Sequence, residues 1–574
     1  MRRDARSINH RDRERFADGC KGTRYILDMR SNVINIFFSI FACLLSAVLL
    51  VLAFPPYDLS WLVWIALVPL LISGNGRNPI FGFLLWFLFG VVFFAGIFRW
   101  IFEVPGYRFH HHFFIGLYLG PLAGLFGLAF SLIRKHLGIT WAYLAAPFLW
   151  TSLEYIRANL FFLSLPWAFL AHSQYQNLPL IQIASLSGAY GVSFLIVMVN
   201  AATAFLVLSL VHRFETSISR CRLLVSGGEV GLVAGAAALM IIITLSYGYW
   251  TLSDPFVGKE LKATVIQGNI NRTMKASPAR HAKFIMEKYT SLTRAAGADG
   301  ADLIVWPEAS TPGLVLMNPQ LRRDIFSLVR ETKRYFVVGS SEYAKFMNVG
   351  DLKGRGTGNA ALFISPEGRV LGQYLKIHLV PFGEHVPLEG KVRWPGFIVP
   401  EGKKSFEIPG KEYTLFEIKG ARFGVVICWE IVFPELFREF VKRGADFMLN
   451  LTNEGWFGET AAPYQMLSMS VFRSVENRIS MARAANTGIS CFIDPMGRVT
   501  GRVQERGKDI FVDGYLTQGI PLSPKQTFYT AHGDIFAYAV LAVAAGMVGL
   551  AILPFKAASF MPKMISEAGD AEQR

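Results

Sequence analysis

The chain has 574 residues, 52% hydrophobic and only 17% charged, and its 57 Lys and Arg against 42 Asp and Glu give a formal net charge of +15. So apolar and charge-poor a composition excludes an ordinary soluble globular protein and predicts a membrane part joined to something else. In such a chain the basic excess points to anionic lipid, and no nucleic-acid motif accompanies it.

Residues 1–32 are polar and carry nine Arg and Lys, which predicts a basic cytoplasmic extension rather than a cleaved signal peptide. Apolar runs follow near 33–53, 59–73, 80–102, 113–133, 140–160, 182–211 and 229–250, and one more lies at 535–555. The second is short, and "FPPYDLSWL" before it predicts a tight hairpin at the membrane interface; the fifth contains Glu154 and Arg157. The linkers "GNGRNP", "RKHLG" and "HRFETSISRCRLL" are basic, and less basic linkers such as "PPYDLS" alternate with them. The positive-inside rule then places both termini in the cytoplasm and residues 251–534 outside. The expected organisation is a seven-span bundle over 33–250, an outer domain over 251–534, an eighth span at 535–555 and a cytoplasmic tail at 556–574.

Between 260 and 520 short β-rich runs alternate with amphipathic stretches. "KATVIQG", "DLIVWPE", "YFVVGSSEY", "NAALFISPEGRVL", "YTLFEIKGARFGVVICWE", "DFMLNLTNEGWFG" and "ISCFIDPMGRV" read as strands. Helices are expected near 279–296, 319–334, 434–443 and 463–482. This alternation predicts an α/β sandwich with helices covering the sheets.

Three of the strands end in chemistry. "GVVICWE" stops at Cys428, where a turn would present a thiol to a cleft. "LIVWPE" stops at Glu308, and "GQYLKIHLVPFGEHVP" places Lys376 within an otherwise apolar strand. A buried lysine needs a partner or a purpose. Together the three form a nucleophilic set. Glu308 would take the thiol proton, Lys376 would lower the thiol pKa and stabilise an oxyanion, and Cys428 would attack a carbonyl and hold the acyl group as a thioester.

The motifs "WPE", "YLKIHLVPFGEHVP" and "GVVICWE" resemble the nitrilase, or carbon–nitrogen hydrolase, superfamily with its Glu-Lys-Cys triad. The membrane frame with "FPPYDLSWLVWIALVPLL", "VIQGNI", "PFGEHVPL" and "NEGWFG" narrows the resemblance to the apolipoprotein N-acyltransferases of the bacterial inner membrane, over about 33–555. The resemblance implies a polytopic α-helical membrane protein of about eight spans with an αββα sandwich in the periplasm. It implies that a phospholipid acylates Cys428 through its sn-1 chain. The thioester then acylates the α-amino group of the diacylglyceryl-cysteine that begins an apolipoprotein. It also implies that Glu384 is a second active-site glutamate, and that Trp429 and Glu430 flank the nucleophile. Membrane lipids and the two substrates are the partners expected of a monomer, without nucleic acid, metal or cofactor.

The chain departs from the family at Trp429, where tyrosine is usual, at Ala276, where tryptophan is usual, and in "GEHVP" and "NEGWFG". Trp429 would wall an acyl channel or pack in the core. Glu430 would hold the loop or Lys376. Trp456 and Phe457 would line the acyl pocket or pack the core. The irregular segment from Pro381 to Pro409, with Trp394 and Phe397 among glycines, prolines and lysines, reads as a lid that dips toward the bilayer. Cys20, Cys43, Cys221 and Cys491 show no pairing or zinc spacing with Cys428. "HHH" at 110–112 lacks helical i, i+4 zinc spacing. Two rivals remain: a membrane-tethered amidase with the same triad, and a transporter or scaffold carrying an inactive nitrilase-like domain.

Overall fold

The computed structural model describes residues 34–74, 78–219, 226–253, 258–343, 356–396, 398–399, 405, 407–522 and 526–553. The basic extension, the C-terminal tail, Cys20, Cys221 and Phe397 lie outside the described residues.

Among the described residues six helices are long and apolar enough to cross a membrane: Ile34–Leu52, Pro79–Ile97, Phe109–Leu137, Ala189–Val211, Gly227–Ser253 and Ile535–Ile552. Two of the eight expected runs differ. The run at 59–73 breaks into a 3-10 turn at Ser60–Trp64 and a short helix at Val68–Ser73, after the Pro55-Pro56 corner. The run at 140–160 does form a helix, Ile139–Ala158, but Glu154 and Arg157 lower its apolarity. Both charged side chains are buried and hydrogen-bonded inward. The Glu154 carboxylate accepts the Trp150 indole N–H at 3.1 Å and the Leu170 amide at 2.9 Å, and Arg157 donates to the Leu165 carbonyl at 3.2 Å. This helix packs against Phe109–Leu137, the helix beginning at Ala189, and Ile535–Ile552.

Pro79–Ile97 and Phe109–Leu137 approach each other closely, because small residues line their contact. A Cβ added to Gly90 would lie 2.8 Å from the Ala123 Cβ, so only glycine fits there. Other faces stay apolar and uncovered. Phe37, Phe38 and Phe41 project from the first helix, and Leu239, Ile242 and Trp250 from Gly227–Ser253. Lipid is the solvent that suits such surfaces.

Among the described residues, the sandwich domain holds twelve strands: β1 Glu260–Gln267, β2 Leu303–Val305, β3 Tyr335–Tyr343, β4 Thr357–Ile364, β5 Val370–Leu375, β6 Leu415–Ile418, β7 Ala421–Ile427, β8 Phe447–Thr452, β9 Ser480–Ala485, β10 Cys491–Ile493, β11 Val499–Arg502 and β12 Gly514–Pro521. They form two six-stranded sheets, ordered β12-β1-β2-β3-β4-β5 and β11-β10-β9-β8-β7-β6. β1, β2 and β3 run parallel, as do β7, β8 and β9.

Period-two alternation builds the layers. Val265, Val305, Val337 and Phe363 point into the space between the sheets, where Phe363 meets Phe423 of the other sheet at 5.2 Å. Their neighbours Ile266, Ile304, Val338 and Ile364 point outward, with Trp306, against the helices Ala282–Gly297 and Pro319–Thr332. Pro434–Lys442 and Ala462–Asn477 lie beside the second sheet. The result is the expected αββα sandwich, and the four helices fall within a few residues of their expected positions. It also puts the C-terminal ends of β2, β5, β7 and β8 at one rim, the place where open α/β sheets carry their ligands.

Candidate active site

Lys376 sits one residue beyond β5 and is fully buried, so it does not reach solvent. Its ammonium lies 2.6 Å from Glu384 Oε1 and 3.6 Å from Glu308 Oε1. Burial opposes the charge, but the Glu308 and Glu384 carboxylates outweigh it and raise the lysine above its ordinary range. It is therefore a permanent cation in this site.

Glu308 lies just past β2, 6% exposed. Asn359 of β4 donates to its Oε1 at 2.6 Å, and the Asn453 backbone N–H donates to Oε2 at 2.8 Å. Burial raises its pKa and Lys376 works against that rise. The next residue, Ala309, has φ +44°, and its carbonyl accepts a hydrogen bond from Lys275. Burial pulls Lys275 down to about 7, against the attraction of Glu308.

Cys428 begins the turn after β7 with φ +51°, an unusual conformation for a non-glycine residue. Such a turn lifts the thiol out of the strand and toward the rim. The thiol is 9% exposed and forms no disulfide, and the Glu308 carboxylate and the Lys376 ammonium both act on it. Its pKa is raised, first by burial and then by the Glu308 charge; Lys376 lowers it, as expected, but does not prevail. The resting state is thus a neutral thiol beside a carboxylate and an ammonium. A base is needed at the moment of attack, and Glu308 is the carboxylate in contact.

Glu430 does not hold Lys376 directly. Its Oε1 accepts from the Tyr374 hydroxyl at 2.8 Å, the Ile377 N–H at 2.6 Å and the His378 N–H at 3.1 Å, while Oε2 accepts the Ile427 N–H at 2.7 Å. One buried carboxylate therefore ties the end of β5, which carries Lys376, to the end of β7, which carries Cys428. Burial pushes it up to about 7 in spite of those donors. Glu384 Oε2 accepts the Val380 N–H at 2.8 Å, which orients its other oxygen toward Lys376.

Trp429 is half-buried. Its ring stacks on Trp167 of the membrane part, 5.9 Å apart at 26°, and meets Phe433 at 5.8 Å. Trp167 continues to Trp100, and Trp100 to Phe457 at 4.8 Å. Phe457 thus joins the aromatic wall between bundle and sandwich, whereas Trp456 is 43% exposed. Trp394 donates its indole N–H to the Pro387 carbonyl and contacts Phe382 and, from the membrane part, Phe162. The segment around it is irregular, with Phe382 and Leu388 at positive φ.

The rim therefore gathers Glu308, Lys376, Cys428, Glu384 and Glu430. It adds Asn359, Thr452, Asn453, Lys275 and Glu407, which the sequence reading passed over. Asn359 had one signal, a lone amide in the apolar run "NAALFI". Among the described residues no group of three His, Cys, Asp or Glu could hold a metal ion.

Residues 46–202 match the family described as apolipoprotein N-acyltransferase N-terminal domain, and residues 262–514 match carbon–nitrogen hydrolase. A protein named apolipoprotein N-acyltransferase from Geobacter metallireducens is 36% identical over 88% of this chain and 94% of its own length. One of the same name from Haemophilus influenzae is 28% identical over 88% and 93%. Among solved structures, an amidase from Nesterenkonia sp. is 19% identical, with a TM-score of 0.34, over 46% of this chain and 92% of its own.

Proposed function

The chain belongs to the apolipoprotein N-acyltransferase family of the carbon–nitrogen hydrolase superfamily, and from that premise we propose which of its residues carry the reaction and how. It is an inner-membrane acyltransferase of lipoprotein maturation, acting on phospholipid and lipoprotein substrates. The observation that carries the residue assignment is the convergence of Cys428, Glu308 and Lys376 on one buried rim facing the bundle.

In the first half-reaction Glu308 takes the Cys428 proton as sulfur attacks the sn-1 ester carbonyl. Lys376 stabilises the tetrahedral oxyanion, and Glu308 returns the proton to the departing lysophospholipid oxygen. In the second, the α-amino group of the diacylglyceryl-cysteine attacks the thioester, Glu308 takes an N–H proton, and the thiol leaves with it. Asn359 and Asn453 hold Glu308 in position, and Glu430 fixes the spacing of Lys376 and Cys428. The aromatic wall of Trp429, Trp167, Trp100 and Phe457 lines the acyl chain's path and keeps water from the thioester. The protein acts as a monomer, and Trp456 belongs to the rim of the acyl pocket.

Two expectations follow from the wider reading. The linker charges put residues 251–534 in the periplasm, the bundle at 33–250, the last span at 535–555 and both termini in the cytoplasm. A reporter fused near Lys259 is expected to read periplasmic, and one after Lys556 cytoplasmic; the opposite result at either point rejects this orientation. The segment from Pro381 to Pro409 acts as a lid at the bilayer surface, with Trp394 bearing on Phe162 as its hinge contact. Trp394→Ala and Phe397→Ala are each expected to lower lipid turnover about tenfold, the scale of about 1.4 kcal/mol lost from one aromatic anchor. Unchanged turnover in both removes the lid.

A further inference from the structure

The aminolysis half-reaction has a proton that the triad does not accommodate. The acceptor arrives as an ammonium, R–NH3+, with an α-amino pKa of about 8. Attack needs R–NH2. Its second N–H proton goes to Glu308 and on to the Cys428 sulfur, which restores thiol and carboxylate. The balance is thioester plus R–NH3+ giving thiol, amide and H+. The first proton is therefore surplus in every turnover, and a base other than Glu308 at the site lets the predominant ammonium form react instead of only the small free-amine fraction.

Beside the triad lies a carboxyl that none of the steps above uses. Glu407 is on the segment that runs along the start of β4, with its N–H on the Glu384 carbonyl at 3.3 Å and the Ile408 N–H on the Thr357 carbonyl at 3.0 Å. Its Oε2 is buried and has no hydrogen-bond partner among the described residues. An orphaned buried carboxylate oxygen is costly, and it persists where something is to be bound or exchanged. The charged groups facing it are Glu384, Lys376 and Glu308.

We propose that Glu407 is the acceptor of the surplus ammonium proton in the second half-reaction. The N–H bond of the acceptor ammonium breaks, an O–H bond forms on the Glu407 carboxylate, and the proton then passes to solvent. The assignment rests on the thioester mechanism proposed above. Burial and the Glu384 charge push Glu407 up to about 8, against the pull of Lys376, so the acid and the ammonium are closely matched and the accepting carboxylate form grows as pH rises toward 8.

Glu407→Gln separates this role from a structural one, because glutamine is an isostere of the protonated acid. Acyl adduct formation on Cys428 from phospholipid alone is expected at the wild-type rate. Discharge of that adduct by a synthetic diacylglyceryl-cysteinyl peptide with a free amino terminus is expected to fall about tenfold near pH 7, where only about a tenth of the acceptor is already free amine, and the loss to shrink as pH rises past 8. Discharge by hydroxylamine, whose nitrogen is already unprotonated there, is expected to be unchanged, and Glu407→Asp to recover part of the peptide rate. Peptide discharge at the wild-type rate overturns the proposal, and so does equal slowing of the peptide and hydroxylamine reactions or loss of the first half-reaction. No adduct on the wild-type protein refutes the thioester mechanism itself, and this inference with it.

Discussion

Incubated with phospholipid and no acceptor, the purified protein is expected to gain one acyl chain on Cys428, as a thioester labile to hydroxylamine. The thiol is 9% exposed at a strand end, in contact with a base and near a buried ammonium, and an aromatic wall stands beside it. Those are the conditions for forming a thioester and for protecting it from water. Cys428→Ala is expected to show no adduct and to lose turnover by about 10⁶-fold, the scale of losing a covalent nucleophile. Adding the diacylglyceryl peptide should then release the chain as an amide. Rapid release as free fatty acid without peptide is the signature of a hydrolase, and no adduct in any lipid is that of an inert domain. Either result, read by mass spectrometry of the intact protein, rejects the acyltransferase mechanism assigned to these residues.

The second large effect is expected at Lys376, where one substitution strikes both rate and stability. Lys376→Met removes the cation that faces an oxyanion, a loss of about 10²- to 10³-fold in single-turnover acylation. It also leaves Glu308 and Glu384 buried without their counter-charge, which costs about 3–5 kcal/mol. Glu308→Gln makes the contrast. It removes the base, for about 10²- to 10⁴-fold in rate, yet leaves Lys376 paired with Glu384 and keeps one acceptor oxygen for the Asn453 N–H, while Asn359 turns its unpartnered amide oxygen toward the new NH2. The melting midpoint in detergent should therefore drop sharply for Lys376→Met and little for Glu308→Gln. Lys376→Met protein that melts and acylates like the wild type removes lysine from the mechanism.

Glu308, Lys376 and Cys428 were legible because each interrupts or ends an apolar run, and a strand end is a local feature. Glu384 and Glu430 were legible by resemblance, but not their contacts. That Glu430 joins two strand ends depends on β5 and β7 lying in different sheets at one rim, which neither run encodes alone. Lys275 and Glu407 were invisible for the same reason: both lie in polar stretches, and only the folded rim half-buries them beside the other charged groups. Lys376 by itself argues for a lowered Cys428 pKa, whereas burial and Glu308 decide its direction. In the bundle, hydropathy located the apolar runs. It did not reveal that 59–73 breaks in two or that Glu154 and Arg157 find partners in the loop that follows their helix, at Leu170 and Leu165. Trp456 and Phe457 are adjacent and chemically alike, and only the position of Trp100 distinguishes them.

The pairing of β1 with β12 along its whole length, from Glu260 with Pro521 to Gln267 with Gly514, bears on how the molecule is made. The first sheet cannot close one edge until nearly the whole sandwich domain has been synthesised. The last helix, Ile535–Ile552, follows soon afterwards and packs on Phe109–Leu137 and Ile139–Ala158, which leave the ribosome far earlier. Those early helices must wait in the bilayer with one face unmet, as the outer strands wait for their closing neighbour. Sandwich and bundle therefore reach completion almost together, within the final stretch of translation. A chain halted before Gly514 carries both Glu308 and Cys428 but has neither half of its architecture sealed.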